Sequence, residues 1–193
     1  MKQESLSTKK KLVSALKSAL KKAILEMEVV GNSYSEESLR YIVMEELSKQ
    51  KYWGTFPNQS QNSNHLLFEQ EYQVLKVRRR TFKPDIISKN QNEHLLAVEL
   101  KIKNNSGDVN KCLEYINEEK GRSHFPLAVA IYGTPQPPAG CSGFLSQKIN
   151  KAKKNGIDIT NGKLLVAFIE WEPKKNEKGQ LSNKHTIRLE WVA

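Results

Sequence analysis

The sequence has little of what marks zinc proteins, secreted domains and membrane proteins. It contains 2 cysteines and 4 histidines in 193 residues, and neither type occurs at the spacing of a metal site. No apolar run approaches a bilayer span, and lysines interrupt the apolar residues of the first helical segment, so neither a membrane partner nor a secretory signal is expected. A glycine-rich phosphate loop and a GxSxG nucleophile turn are also missing. These absences favour a cytoplasmic protein with reduced cysteines.

The charge of the chain is strongly basic. Lys and Arg together number 31 against 21 Asp and Glu, which gives a formal net charge of +10. The hydrophobic content of 38% and the charged content of 27% are typical of a globular chain, and the length suits a single domain over residues 1–193. The basic excess favours a polyanionic partner, with nucleic acid ahead of membrane. A soluble protein that is basic for other reasons is the alternative.

Two apolar segments joined by a polar turn carry the clearest chemical pattern. Residues 94–103 alternate as a half-buried strand does, so Glu99 and Lys101 share one face. Asp85 lies on the preceding segment, 84–88, and the two segments are predicted to form a hairpin. Two carboxylates and one ammonium group would then meet on one face of a sheet. This arrangement is suited to a hard divalent cation with a water beside it.

The pattern resembles the signature of the PD-(D/E)xK nuclease superfamily, which has the restriction-endonuclease-like fold. Its elements here are Pro84, Asp85, Glu99 and Lys101. The resemblance implies a core of helix, three strands, helix and strand, which residues 33–133 supply in that order. It also implies Mg²⁺, with Mn²⁺ as a substitute, held by Asp85, Glu99 and the carbonyl of Leu100. Lys101 would stand beside the attacking water, and cleavage of DNA would leave 5′-phosphate ends.

One departure from the family pattern concerns the helix after the third strand. The RecB-like branch carries a Gln-x-x-x-Tyr motif there, whereas this chain has Lys111 four residues before Tyr115. A processive exonuclease of that branch is therefore not expected.

A fourth acid is sought on the helix before the sheet, because many members of the family place one there. Ser33 and Glu36 form a capping-box pattern that opens this helix, and Glu46 projects within its apolar arc. A carboxylate aimed into a core is costly unless it is paired or bound to metal. Glu46 is thus predicted either to serve the metal site or to pair with an internal Lys or Arg. Glu69 and Glu71, on the next segment, compete for the metal role.

A run of cations leads directly into the proposed site. Arg78, Arg79, Arg80 and Lys83 precede Asp85 by a few residues. Such cations would hold the backbone phosphates of a nucleic acid beside the site. A solvated basic turn is the alternative interpretation.

Hydrophobic periodicity predicts the order helix, helix, strand, strand, strand, helix, strand, helix, strand, strand. A mixed sheet flanked by helices follows, of the α/β (α+β mixed sheet) class, with an extra N-terminal helix and a C-terminal helix and strands around the core. Three prolines predict a loop over residues 134–140. The predicted elements span residues 5–29, 33–51, 66–77, 84–88, 94–103, 106–116, 125–133, 144–155, 163–171 and 184–192.

Three hypotheses follow from the sequence. The leading one is an Mg²⁺-dependent DNA endonuclease of the restriction, repair or recombination type. The second is a catalytically silent nuclease-fold module that binds nucleic acid. The third is an unrelated α/β protein in which Glu99 and Lys101 form a surface pair. An enzyme that cleaves both strands of a duplex with one site per chain often works as a dimer, so a homodimer is expected. A separate recognition subunit is the alternative, because the sequence has no DNA-reading motif.

Overall fold

The computed structural model describes the chain over residues 2–49, 67–70, 75–77, 80–89, 94–102, 107–116, 118–119, 122–123, 125–136, 138–156, 163–175, 177–179 and 181–192. Within these ranges lie four α-helices and one 3₁₀ turn. They are α1 (Lys2–Val30), the 3₁₀ turn (Gly31–Ser33), α2 (Glu36–Ser48), α3 (Gly107–Ile116) and α4 (Pro138–Lys154).

The strands of the described residues form one six-stranded sheet and two short pairs. The sheet has the order β1-β4-β5-β8-β9-β10, and the short pairs are β2-β3 and β6-β7. The strands are β1 (Leu67–Gln70), β2 (Leu75–Val77), β3 (Arg80–Phe82), β4 (Ile86–Lys89), β5 (His94–Lys101), β6 (Glu118–Glu119), β7 (Arg122–Ser123), β8 (Leu127–Gln136), β9 (Leu164–Lys175) and β10 (Leu181–Val192).

The sheet is mixed because its connections differ in length. Strands β1, β4 and β5 are antiparallel neighbours, and so are β9 and β10. Strands β5, β8 and β9 run parallel, and α3 and α4 occupy the two connections between them. Parallel neighbours require such crossovers, whereas a short turn is enough for a hairpin. The predicted mixed α/β class is confirmed.

Alternation along β5 divides the core into two layers. Leu96, Val98 and Leu100 belong to the cluster that includes α1 and α2, while Ala97 belongs to the cluster that includes α3 and α4. The apolar stripe predicted for the first helix is buried in the first of these layers. Its innermost members are Leu12, Leu16 and Leu20. The sheet is therefore covered on both faces, as parallel strands require.

Helix α2 begins two residues later than its sequence indicated. The N-cap is Ser35, not Ser33, because Ser35 has extended backbone angles (φ −123°, ψ 162°) and its side chain accepts a hydrogen bond from the amide of Ser38. Ser33 ends the 3₁₀ turn instead. This shift leaves Glu36 in the first turn of the helix, where an acid is favoured by the helix dipole.

The proline-rich segment is more regular than expected. Strand β8 continues to Gln136, and α4 begins at Pro138, so the loop predicted for residues 134–140 was wrong. The pairing of β8 with β9 shifts between Tyr132 and Gln136, which accommodates Pro135 and its missing amide donor. A proline in the first helical turn needs no donor either.

Candidate functional site

Asp85 lies directly before β4 and is fixed by two donors. Its Oδ2 accepts a hydrogen bond of 2.7 Å from the main-chain amide of Leu100. A guanidinium nitrogen of Arg40, on α2, lies 3.5 Å from Oδ1. Pro84, which precedes it, is buried. The carboxylate is therefore held against β5 at the residue between Glu99 and Lys101.

Glu99 is a fully buried acid with two donors on its carboxylate. Its exposed fraction is 0%. The Lys111 ammonium donates to Oε2 at 2.8 Å, and the Tyr115 hydroxyl donates to Oε1. Both donors lie on α3, four residues apart, and so on one face of that helix. The side chain is thus held between β5 and α3.

Burial dominates the protonation of this acid. It raises the pKa of Glu99 to about 7, since a desolvated carboxylate prefers its neutral form, and the charge of Asp85 acts in the same direction. Lys111 and Tyr115 oppose the increase by donating hydrogen bonds. Burial and the charge of Glu99 also raise the pKa of Tyr115 far above its ordinary value, so the phenol remains a donor. Glu99 therefore gains or loses its proton near neutral pH.

Lys101 points to the N-terminal turn of α2. Its ammonium lies 2.8 Å from Oε1 of Glu36, and both side chains are partly exposed, at 26% and 33%. This contact joins the C-terminal end of β5 to the beginning of α2. The ammonium therefore stands at the rim of the site and remains accessible to solvent.

These residues form what we call the strand-end cluster. Its members are Glu36, Arg40, Asp85, Glu99, Lys101, Lys111 and Tyr115. The structure brings Asp85 and Glu99 together, since their charges interact and Asp85 bonds to the residue after Glu99. The ammonium of Lys101, two residues after Glu99, contacts Glu36 of α2. Leu100 contributes its amide, while its side chain is buried in the layer with α1 and α2.

Glu46 does not join this cluster, and this corrects the expectation that it would serve the metal. Its Oε1 lies 2.6 Å from the ammonium of Lys22 and 2.7 Å from that of Lys49. Hydrogen bonds from these lysines lower the pKa of Glu46 to about 2. The structure shows the alternative role, an ion pair, although its partner on α1, Lys22, is 41% exposed and not internal. At about 1.5 Å per residue, Glu46 is displaced about 15 Å along α2 from Glu36.

The sequence interpretation missed four members of the cluster. Glu36 was assigned to capping alone, although an acid at a helix start is also free to reach a neighbouring strand end. Arg40 lies one turn further along the same helix face. Lys111 and Tyr115 were noted only as a departure from a motif. Their four-residue spacing was the signal that both face the same acid.

Several predicted site residues lie outside the described part of the chain. Glu71, Arg78 and Arg79 are among them, as are the side chains of Glu69 and Arg80. The backbone of Glu69 pairs with Ile87 of β4, and Arg80 begins β3. Lys83 is exposed, two residues before Asp85.

The donor chemistry of the cluster suits a hard cation, but its charges are already matched. Asp85 and Glu99 offer carboxylate oxygens, the ligands that Mg²⁺ prefers. Among the described residues, however, no three His, Cys, Asp or Glu side chains form a group that would hold a metal ion. Arg40 and Lys111 occupy oxygens of the two acids. A divalent ion therefore fits between them only where one of these cations gives way.

No helix within the described ranges has the length and apolar character that crossing a membrane requires. Comparisons of the chain with protein-family models, with curated proteins and with solved structures find no match.

Proposed function

We propose that the protein is a metal-dependent nuclease that hydrolyses phosphodiester bonds of DNA. One observation carries this proposal: the carboxylate of Asp85 bonds to the main-chain amide of Leu100, the residue between Glu99 and Lys101 in β5. The order α2, β1, β4, β5, α3, β8 supports a restriction-endonuclease-like core. The net charge of +10 supports a nucleic acid as the partner.

The proposed cation is Mg²⁺, with Mn²⁺ as a substitute. Asp85, Glu99 and the carbonyl of Leu100 would hold it. When bound, it would supply positive charge at the phosphoryl oxygens and activate a water.

The side chains of the cluster supply the remaining functions. Lys101, at the solvent-exposed rim, would approach a phosphate and offset the negative charge that develops during hydrolysis. Glu36 holds the Lys101 ammonium at this rim, and Arg40 fixes the orientation of Asp85. Tyr115 keeps its proton and holds one oxygen of Glu99 in place.

A plasmid-nicking assay with Mg²⁺ or Mn²⁺ tests the proposal. We expect Asp85→Ala and Lys101→Ala to slow nicking by about 100-fold or more, as loss of charge stabilisation at a reacting phosphate does. Exposed residues of the same charge, changed in Glu37→Ala and Lys153→Ala, serve as matched controls. Equal nicking by all variants, or nicking that persists in a chelator, would contradict the assignment and indicate a contaminant.

A catalytically silent nucleic-acid-binding module is the second candidate, and the paired charges of the cluster favour it. Each described carboxylate there already has a cationic partner, so the fold does not need a metal to hold these acids. Binding of DNA without nicking, and without an effect of Asp85→Ala on affinity, would support this function. A homodimer or a recognition subunit, and a cytoplasmic location, belong to the nuclease proposal. Light scattering with and without a DNA duplex tests the dimer.

A further inference from the structure

Lys111 reaches into the protein from a partly exposed position. Its side chain is 44% exposed, yet its ammonium lies 2.8 Å from an oxygen of Glu99, whose side chain is 0% exposed. The ammonium therefore lies at the boundary between the buried acid and solvent. An approaching ligand would meet it before it met Glu99.

The cluster contains as many cations as carboxylates. The pairs are Asp85 with Arg40, Glu99 with Lys111, and Glu36 with Lys101. A divalent ion that enters this group gains two carboxylates but is repelled by the ammonium bound to the same oxygen. Water screens this repulsion only on the exposed side of Lys111, because the Glu99 carboxylate is buried. Lys111 and a metal ion are therefore competitors for Glu99.

We propose that Lys111 is a built-in counter-ion that keeps the affinity of the site for divalent cations low until a nucleic acid binds. A phosphate at the rim would attract the flexible ammonium and leave an oxygen of Glu99 for the metal. Metal and polyanion would then bind with positive coupling, in which each raises the affinity for the other by the same factor. The effect of the polyanion rests on the proposed function, whereas the competition at Glu99 does not.

Calorimetric titration with Mn²⁺ or Ca²⁺ in the absence of DNA tests the competition. Lys111→Gln removes the charge but keeps a donor, and we expect it to bind the cation at least 10-fold more tightly than the wild type. Lys111→Arg keeps the charge and should stay within about 3-fold of the wild type. Lys153→Gln is the matched control on α4. Thermal melting of each variant checks that the fold is intact.

Equal or weaker cation binding by Lys111→Gln would overturn the competition. For the coupling, a short duplex should raise the Ca²⁺ affinity of the wild type about 10-fold and that of Lys111→Gln much less. An equal increase in both would overturn the coupling. Failure of the nuclease proposal would give a different result. Neither the wild type nor the variants would nick DNA, but Lys111→Gln would still bind the cation more tightly than the wild type. Metal-dependent nicking with unchanged cation affinity in Lys111→Gln would remove only the role of Lys111.

A second observation concerns the edge strand β10, three strands away from β5. A groove of about 480 Å³ is lined by Lys9, Lys10, Val13, Ser14, Lys17 and Trp191, and thus lies between α1 and β10. Its size is within the range of ligand sites. The ammonium of Lys9 stands 4.7 Å above the ring centre of Trp191. The described lining therefore combines three lysine side chains with an aromatic surface, and no acid is among these described residues.

We infer that this groove binds a stretch of single-stranded nucleic acid. Single-strand sites combine cations along the phosphate backbone with an aromatic ring on which a base stacks. Three lysines and Trp191 line this groove, and a base would stack on Trp191 by displacing the Lys9 ammonium from above the ring. The register across the sheet runs from Trp191 through Leu165 and Val129 to Val98, next to Glu99. Three strand spacings, about 14 Å, separate the groove from β5. This inference does not require catalysis.

Fluorescence anisotropy of a labelled single-stranded oligonucleotide, measured in a chelator, tests the groove. We expect the triple change Lys9→Gln, Lys10→Gln and Lys17→Gln to weaken binding at least 10-fold and to lower the salt slope by about 2, as loss of three phosphate contacts does. The matched control changes three exposed lysines of α4, Lys151, Lys153 and Lys154, to Gln. Equal weakening in both triples would overturn the site, as would binding to anionic vesicles alone.

Discussion

The carboxylate of Asp85 accepts a 2.7 Å hydrogen bond from the main-chain amide of Leu100. Because the donor belongs to the backbone, the position of Asp85 does not depend on the side chain of its partner. Asp85 directly precedes β4, which pairs antiparallel with β5, the strand that carries Glu99. The hydrogen bond from the Leu100 amide therefore holds the Asp85 carboxylate against β5.

Two substitutions of Asp85 separate its charge from its hydrogen bond. Asp85→Asn keeps an oxygen acceptor for Leu100, whereas Asp85→Ala leaves a buried amide without a partner. We expect Asp85→Ala to lower the free energy of unfolding by about 2 kcal/mol and Asp85→Asn by about half as much. Both should lose nicking and cation binding. Urea unfolding checks the order, and equal losses of stability would contradict the role of this bond.

The burial of Glu99 makes stability depend on pH in a defined direction. The pKa of its carboxyl is about 7 in the folded protein and 4.5 ordinarily. Between these values the folded state holds a proton that the unfolded state has lost, so this group favours folding less as the pH rises. The free energy of unfolding that is lost as the pH rises through this range is about 3 kcal/mol. This loss is complete above pH 7 and absent below pH 4.5.

Glu99→Gln should remove this dependence, since an amide does not titrate. We expect the variant to gain stability relative to the wild type as the pH rises from about 4.5 to about 7. The measurement is urea unfolding of both proteins at several pH values, with the difference plotted against pH. A difference that stays constant, or that falls with rising pH, would contradict the assignment.

The alternation of residues 94–103 was enough to predict β5. The face shared by Glu99 and Lys101 stays a prediction, since Glu99 bonds to α3 and Lys101 to α2. The polar turn before β5 predicted the hairpin with β4. These features are local, and local side-chain periods are read directly from sequence. Contacts from distant elements were not accessible in this way. Glu36 meets Lys101 across 65 positions of the chain, and no spacing rule connects them.

Glu46 shows which information a helical projection does not contain. The projection placed this residue within the apolar arc, and it is buried, with 6% exposure. A wheel gives direction around a helix but not position along it. Helix α2 has 13 residues, so its ends are about 20 Å apart, and Glu46 belongs to the end that packs on α1.

Matched substitutions of the two acids of α2 test this reassignment. Glu36→Gln should slow nicking about 10-fold, because Lys101 loses the partner that holds it at the rim, while stability changes little at a partly exposed pair. Glu46→Gln should lower the free energy of unfolding by about 1 kcal/mol and leave nicking unchanged. The assays are plasmid nicking and urea unfolding. The reverse pattern would restore the metal role to Glu46.

Leu39 of α2, the residue before Arg40, packs closely on Gly133 of β8. A Cβ atom added at Gly133 of β8 would collide with the side chain of Leu39, which is fully buried on α2. We expect Gly133→Ala to cost about 1–3 kcal/mol of stability, as overpacking of a core does. The added atom meets the end of the Leu39 side chain, so a rotamer change relieves part of the collision. The part that remains pushes α2, which carries Arg40, away from the sheet and should slow nicking.

A double-mutant cycle distinguishes this contact from a general loss of stability. Leu39→Ala alone removes buried atoms and should cost about 2–5 kcal/mol. Combined with Gly133→Ala, the new methyl group fills part of that cavity, so the double variant should be more stable than the sum of the two changes by about 1 kcal/mol or more. Strict additivity in urea unfolding would mean that Gly133 and Leu39 do not determine the approach of α2.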